Sequence, residues 1–256
     1  MGWVWTWTRR ILSGLFALCV LVFTGFVMNG RMADDFEVAS LNLDPETRVL
    51  VLLFHGSNGA DLPVWSEIAD RVSQLNASNP QSVVVKYNWS VGSDKRMRAG
   101  ANAEVFARAL GQEIARLEKL EYVQLIAHSA GSYILDPLCE SYRERVAQTA
   151  HVEMTFLDPF GSRDLVDVNR GNRNYGSCAD YASAYISTDD PVPSTNSPLR
   201  QAYNFDVTNS SARAGFTQMG HVWPLFYYLQ VLDETLVRPG ARNHNDLPRG
   251  QVSTVD

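Results

Sequence analysis

The sequence predicts an α/β fold: a mostly parallel sheet covered by helices on both faces. Apolar runs suited to strands buried on both sides alternate along the chain with amphipathic segments at helical spacing. A length of 256 residues, with 45% hydrophobic and 20% charged, fits one large α/β domain and excludes collagen-like, coiled-coil and disordered classes. No internal repeat or low-complexity segment breaks the alternation.

The first segment stands apart from that pattern. Met1 to Thr8 carries three Trp, Arg9 and Arg10 follow, and an uncharged run extends from Ile11 to Met28 before Arg31, Asp34, Asp35 and Glu37. The run is long enough to cross a bilayer, and its basic flank predicts an N-terminus inside and the remainder outside the cytoplasm. No small-x-small cleavage site follows Met28, which favours a retained anchor over a cleaved secretory signal. Residues 1–30 are thus expected to hold the chain at a membrane, 31–237 to form the folded domain, and 238–256 to be a polar tail that frays.

Within the domain, Val49–Phe54 (VLVLLF) reads as a doubly buried strand and Ser82–Tyr87 (SVVVKY) as the next. Tyr122–Ala127, Val152–Leu157 and Ala184–Ser187 complete the set of expected strands. Between them Val64–Leu75, Ala99–Leu120 and Gly131–Ala147 space their apolar residues as helices do. From Gly161 to Cys178 the chain is rich in Gly, Asn and charge, and reads as a polar loop without an apolar lid face.

Charge and cysteine content bound the partners. A net charge of −6 with no long basic run argues against nucleic acid. Of three cysteines, Cys19 lies in the apolar run, leaving Cys139 and Cys178 in the exported part, either as a disulfide or as two separate buried thiols.

The chemistry centres on Ala127-His128-Ser129-Ala130-Gly131. A serine flanked by small residues at minus two and plus two, between a strand and a helix, matches the nucleophile elbow, whose tight turn leaves no room for larger neighbours. The other reading is a helix N-cap serine. A nucleophilic serine needs a base, and the chain offers five histidines. His128 lies within the elbow, His151 opens a strand and His244 falls in the tail, while His55 ends the first strand beside Gly56 and Ser57. His221, in Gly-His-Val-Trp-Pro after the last expected strand, remains as the base. The acid is either Asp158, directly after the fourth strand, or Asp189 or Asp190 after the fifth. The backbone N–H groups of Ser57 and Ala130 are the candidate oxyanion donors. No cofactor is expected, and neither the spacing of the histidines nor the number of cysteines forms a zinc set.

In order along the chain stand Asn88-Trp89-Ser90-Val91-Gly92-Ser93, then Ala99-Gly100-Ala101-Asn102, the elbow, Leu157-Asp158-Pro159 and Ser187-Thr188-Asp189. This succession resembles the pancreatic and lipoprotein lipases, with their W-x-x-G-S segment, A-x-x-N helix, G-H-S-L-G elbow, L-D-P acid and H-T-D strand end. The resemblance covers about residues 49–190 and implies an α/β-hydrolase lipase or esterase with Ser129 as nucleophile, Asp158 as acid and His221 as base. Unlike those enzymes, the chain has no room for a C-terminal β-sandwich domain. The expected function is a serine ester hydrolase outside the cytoplasm, acting on a small ester or lipid and held at the membrane by its N-terminal segment. A thioesterase or amidase with the same triad, and a non-catalytic binding protein on this fold, are the alternatives. The polar loop after Gly161 further predicts turnover of short or medium acyl esters without activation by a lipid interface.

Overall fold

The computed structural model describes residues 2–192, 197–235 and 242–256. A seven-stranded sheet in the order β2-β1-β3-β4-β5-β6-β7 forms its centre, and every pairing is parallel. The strands are β1 Val49–Phe54, β2 Ser82–Tyr87, β3 Tyr122–His128, β4 His151–Leu157, β5 Tyr181–Ile186, β6 Tyr203–Asp206 and β7 Val252–Thr254. The helices are α1 Gly2–Arg31, α2 Pro63–Asn76, α3 Ser90–Ser93, α4 Ala99–Ile114, α5 Ser132–Arg143, α6 Arg170–Asn174 and α7 Trp223–Thr235.

Strand periodicity divides the core into two layers. Leu50, Leu52 and Phe54 of β1 join Val123, Leu125, Met154 and Phe156 in packing against α4 and α5. Val49, Val51 and Leu53 point the other way, onto Trp65, Ile68 and Val72 of α2 and Leu225 and Tyr228 of α7. Because both faces are covered, the central strands read as continuous apolar runs, which is why they were legible. The fold is the expected α/β class, with a topology compatible with an α/β-hydrolase.

Several boundaries differ from the sequence reading. The fifth strand covers Tyr181–Ile186 instead of Ala184–Ser187, and α4 stops at Ile114, six residues short of Leu120. Beyond it, Arg116 and Leu117 donate to the carbonyls of Glu113 and Ile114, so the turns tighten while Leu117 and Leu120 stay buried as apolar contacts. The segment expected as one helix from Gly131 begins with a 3₁₀ turn at Ser129–Gly131 and ends at Arg143. β6 was not anticipated. Nor is the tail frayed throughout: residues 238–241 lie outside the described residues, but Val252–Thr254 pairs with β6 as the last strand. His244 is likewise held, its Nε2 accepting from the Ala182 N–H at 3.1 Å and its Nδ1 donating to the Leu247 carbonyl at 2.9 Å. A three-residue edge strand carries too little apolar pattern to be read without its partner.

Cys139 of α5 and Cys178 are joined by a disulfide with Cα atoms 6.1 Å apart. Asp136, one turn earlier on α5, accepts from the N–H groups of Gly176 and Cys178 at 2.8 and 3.0 Å and from the Ser177 hydroxyl at 3.2 Å. Burial pushes the Asp136 carboxyl up to about 6, against these hydrogen bonds. Together the disulfide and the carboxylate fix the entry to β5.

At the N-terminus, Arg10–Arg31 is long and apolar enough to cross a membrane, with mean hydropathy 2.5 and no buried residues in its apolar window. A signal sequence has the same length and composition. Its last turn meets the domain: Arg31 pairs with Asp164 at 2.7 Å, and Arg98 Nε donates to the Asn29 side-chain carbonyl at 3.0 Å.

Candidate active site

In an open parallel sheet, ligands bind beyond the carboxyl ends of the strands, at the point where the strand order reverses. Here that point lies between β1, from which the chain moves outward to β2, and β3, from which it moves to β4 on the other side. Ser57 follows β1 and Ser129 follows β3, and both line one cleft of about 660 Å³ together with Ala130 and His221. Thus the strand order brings the expected nucleophile and oxyanion donors to one place, and His221, from the turn before α7, joins them there.

The elbow is a tight fit. Ser129 sits at φ 50°, the left-handed region that costs an L-residue about 1–2 kcal/mol. A Cβ at Gly131 would lie 2.3 Å from the Phe54 carbonyl oxygen, and one at Gly56 would lie 2.8 Å from Ser129 Cβ. Only glycine lets the elbow approach the end of β1 this closely. Gly131→Ala is therefore expected to destabilise the fold by about 1–3 kcal/mol, read as a lowered midpoint in chemical denaturation. A midpoint equal to that of the wild type would show that the turn has slack.

His221 lies in a 3₁₀ turn, Gly220–Val222, immediately before α7. Two carboxylates meet its Nδ1: Asp158 Oδ2 and Asp190 Oδ2, each at 2.8 Å. Both carboxylates are buried. Asp158 takes φ 43° at the end of β4, and its other oxygen accepts the Ser187 N–H at 3.0 Å. The sequence-level alternatives therefore resolve into a pair. Asp189 is excluded from it, because its carboxylate accepts from Ser187 Oγ at 2.7 Å and Arg213 at 3.0 Å. With Nδ1 turned to the acids, Nε2 is the nitrogen left to serve as base toward the cleft, although no hydrogen bond joins it to Ser129 among the described residues. Such bonds are often long in free enzymes and tighten when substrate docks.

The electrostatics follow from this pairing. Burial opposes a positive charge on His221, but hydrogen bonds and charge from Asp158 and Asp190 outweigh it and raise the imidazole to about 9. Burial raises Asp158 well above the ordinary carboxyl range, and Asp190 beside it adds to the rise against the opposing pull of His221. A base must be neutral to accept a proton, so any turnover that uses His221 as its base should climb as pH rises through about 9. Asp190→Asn removes one of the groups that raise His221 and should move that limb to lower pH. A kcat/KM profile whose limb sits below the ordinary histidine value would contradict this arrangement.

The other histidines have structural placements. His128 is buried, its ring 4.8 Å from that of His221, and its Nε2 donates to the His221 carbonyl at 3.2 Å. Burial, then the neighbouring imidazole, pushes it down to about 3, so it stays neutral. His55 accepts the Trp89 N–H at 3.2 Å on Nε2, and its carbonyl accepts the indole N–H at 2.7 Å, which ties β1 to the Trp89 segment. His151, at the start of β4, pairs with Glu153 at 3.2 Å.

The two candidate oxyanion donors, the N–H groups of Ser57 and Ala130, belong to residues that line the cleft beside Ser129. The Ala130 N–H opens a helix, where such groups have no intrahelical acceptor. The Ser57 N–H has no acceptor among the described residues, while its hydroxyl is anchored to the Ser93 carbonyl at 2.7 Å. Asn102 supports that wall through the Gly92 carbonyl at 3.0 Å and through Asp34, which it meets at 3.0 Å. The W-x-x-G-S and A-x-x-N segments thus act as braces of the cleft.

The side chains of Asp158, Asp190 and His221 converge within 4.8 Å, a set that could also hold a cation. Their mutual distances at Nδ1 are those of hydrogen bonds, so the three groups satisfy one another directly.

Besides Ala99 of the A-x-x-N segment, the cleft includes Arg96, Tyr133, Phe160, Pro191, Val192 and Met219, none of which sequence reasoning had singled out. Spread over five segments, they share no local pattern. One expectation loses its basis. The loop after Gly161 is not wholly polar in presentation, because Leu165, Val166 and Val168 are 63%, 62% and 45% exposed. Asp164 accepts the Val166 and Asp167 N–H groups at 2.7 and 2.9 Å, and the turn so formed displays the apolar side chains outward. The loop therefore carries an exposed apolar face beside the cleft wall.

No family model matches this chain, and no curated protein matches it.

Proposed function

We propose that this protein is a serine ester hydrolase of the lipase and esterase kind, held at a membrane by α1 with its catalytic domain outside the cytoplasm. The observation that carries the reading is the convergence, at the reversal point of the sheet, of a strained Ser129 with a His221 whose Nδ1 is held by two buried carboxylates. The order Ser, Asp, His along the chain and the resemblance of the motifs to pancreatic-type lipases point the same way.

In this reading His221 Nε2 takes the Ser129 proton as Oγ attacks the ester carbonyl carbon. Asp158 and Asp190 hold the imidazole and balance its charge. The Ser57 and Ala130 N–H groups receive the oxyanion, and collapse expels the alcohol, which leaves with the proton from His221. Water then repeats the sequence on the acyl-enzyme and releases the acid. The arrangement on the acid side differs from a single-carboxylate triad, since both acids reach the same nitrogen.

A fluorophosphonate probe tests the reading. Covalent labelling of the full chain is expected, with loss in Ser129→Ala and strong reduction in His221→Ala. A wild-type protein that remains unlabelled would remove the catalytic reading and leave a binding protein on a hydrolase fold.

For the attachment, the full chain is expected to fractionate with membranes and resist extraction at high salt. The basic Arg9-Arg10 flank supports an N-terminus inside the cytoplasm. A mature N-terminus beyond Met28 in a soluble fraction would replace the anchor with a cleaved signal.

A further inference from the structure

A second cavity, of about 190 Å³, separates α1 from the catalytic domain. Phe26, Val27 and Gly30 of α1 form one side. Met97, Tyr133, Phe160 and Leu165 are among the residues that face them. Arg96, Tyr133 and Phe160 also line the catalytic cleft, so the two cavities share a wall. Tyr133 and Phe160 meet edge to face at 6.2 Å, and the Tyr133 hydroxyl donates to the Ser162 carbonyl.

Resting on the hydrolase reading above, we infer that this second cavity is a portal through which the acyl chain of a bilayer lipid ester enters sideways along α1 and reaches Ser129. Three observations identify the occupant. One wall of the cavity belongs to the last turns of a helix of membrane-spanning length and hydropathy, which in a chain anchored by α1 sets the opening at the level of the bilayer surface. Its lining includes the exposed apolar side chains of Met97, 48% exposed, and Leu165, whose loop also exposes Val166 and Val168. Finally, the wall that continues into the cleft is aromatic, formed by Tyr133 and Phe160, which accepts methylene groups without leaving a polar group unsatisfied.

The geometry also explains why α1 is clamped to the domain. The Arg31 to Asp164 pair and the Arg98 to Asn29 hydrogen bond hold the helix end against the loop that carries Leu165. Arg96, exposed and without a hydrogen-bond or ion-pair partner among the described residues, stands where the polar head of such a lipid would remain in the interface. In this view the anchor forms part of the substrate site in addition to tethering the domain.

A long-chain alkyl fluorophosphonate with a photoreactive diazirine at its tail tests the portal in the full chain, reconstituted in phosphatidylcholine vesicles. Ser129 Oγ bonds to phosphorus and fluoride leaves, and irradiation then marks whatever the tail touches. Crosslinks to Phe26, Val27 or Leu165 are the expected result. Labelling of Ser129 with tail crosslinks confined to Pro191, Val192 and Met219 on the other side of the cleft would overturn the portal while preserving the hydrolase. No labelling of Ser129 would overturn both. As a second measurement, Leu165→Trp narrows the cavity. It should lower the ratio of kcat/KM for palmitoyl over butyryl esters about tenfold, the loss of roughly two buried methylenes. An unchanged ratio in a folded variant would overturn the portal.

Discussion

Replacing both Asp158 and Asp190 by asparagine should lower turnover roughly 10⁴-fold, the scale reached when a serine hydrolase loses its orienting carboxylate. Either single replacement should cost only about 10- to 100-fold, the worth of one charge-assisted hydrogen bond. The reason is geometric: each carboxylate places an oxygen 2.8 Å from His221 Nδ1, so a single asparagine leaves the other acid to hold the ring and balance its charge. The two are not equivalent in their surroundings. Asp158 is fully buried and also accepts the Ser187 N–H, whereas Asp190 also accepts the Val192 N–H at 3.0 Å, at the rim of the cleft. Hydrolysis of a p-nitrophenyl ester by the two single variants and the double variant, compared at matched thermal stability, measures this. A full 10⁴-fold loss in one single variant beside near-normal turnover in the other would reduce the pair to one acid.

Removing the disulfide by Cys139→Ser with Cys178→Ser should lower the unfolding free energy by about 4 kcal/mol, a factor of about 10³ in the folding equilibrium. That figure follows from the sequence separation of 39 residues, through the chain entropy that the crosslink removes from the unfolded state. Denaturant unfolding of the oxidised wild type and the double variant checks it, as does unfolding of the wild type with and without a thiol reductant. Ser129 labelling should persist in the variant below its midpoint, because Asp136 still holds the N–H groups of Gly176 and Cys178 at the entry to β5. An unchanged midpoint would mean that Asp136 alone fixes this junction. A bond of this kind persists in an oxidising compartment, in keeping with a domain outside the cytoplasm.

What the sequence by itself determined is the part of the molecule governed by local rules. Doubly buried strands are continuous apolar runs, so β1 through β4 were legible to within a residue, and α2 followed from its spacing. The elbow was legible because a sharp turn between strand and helix tolerates only small neighbours, and Ala127 and Gly131 supply them. His221 emerged by elimination among five histidines. Where local signals were weak, reading failed. β6 and β7 are short strands of four and three residues, β7 at the edge of the sheet, and the turns after Ile114 keep an apolar stripe without keeping the helix.

Only the tertiary structure decided the rest. That Asp158 and Asp190 both reach His221 while Asp189 does not depends on where the His221 ring stands, which is set by α7 and two separate strand ends and by no spacing in the chain. The apolar display of Leu165, Val166 and Val168 from a polar-looking loop depends on the turn that Asp164 imposes. The cavity between α1 and the domain joins residues more than a hundred positions apart, such as Val27 and Leu165. Local sequence encodes periodicity and turn chemistry because these act between near neighbours. Partners brought together by folding leave no such trace, since their spacing along the chain is unrelated to their distance in space.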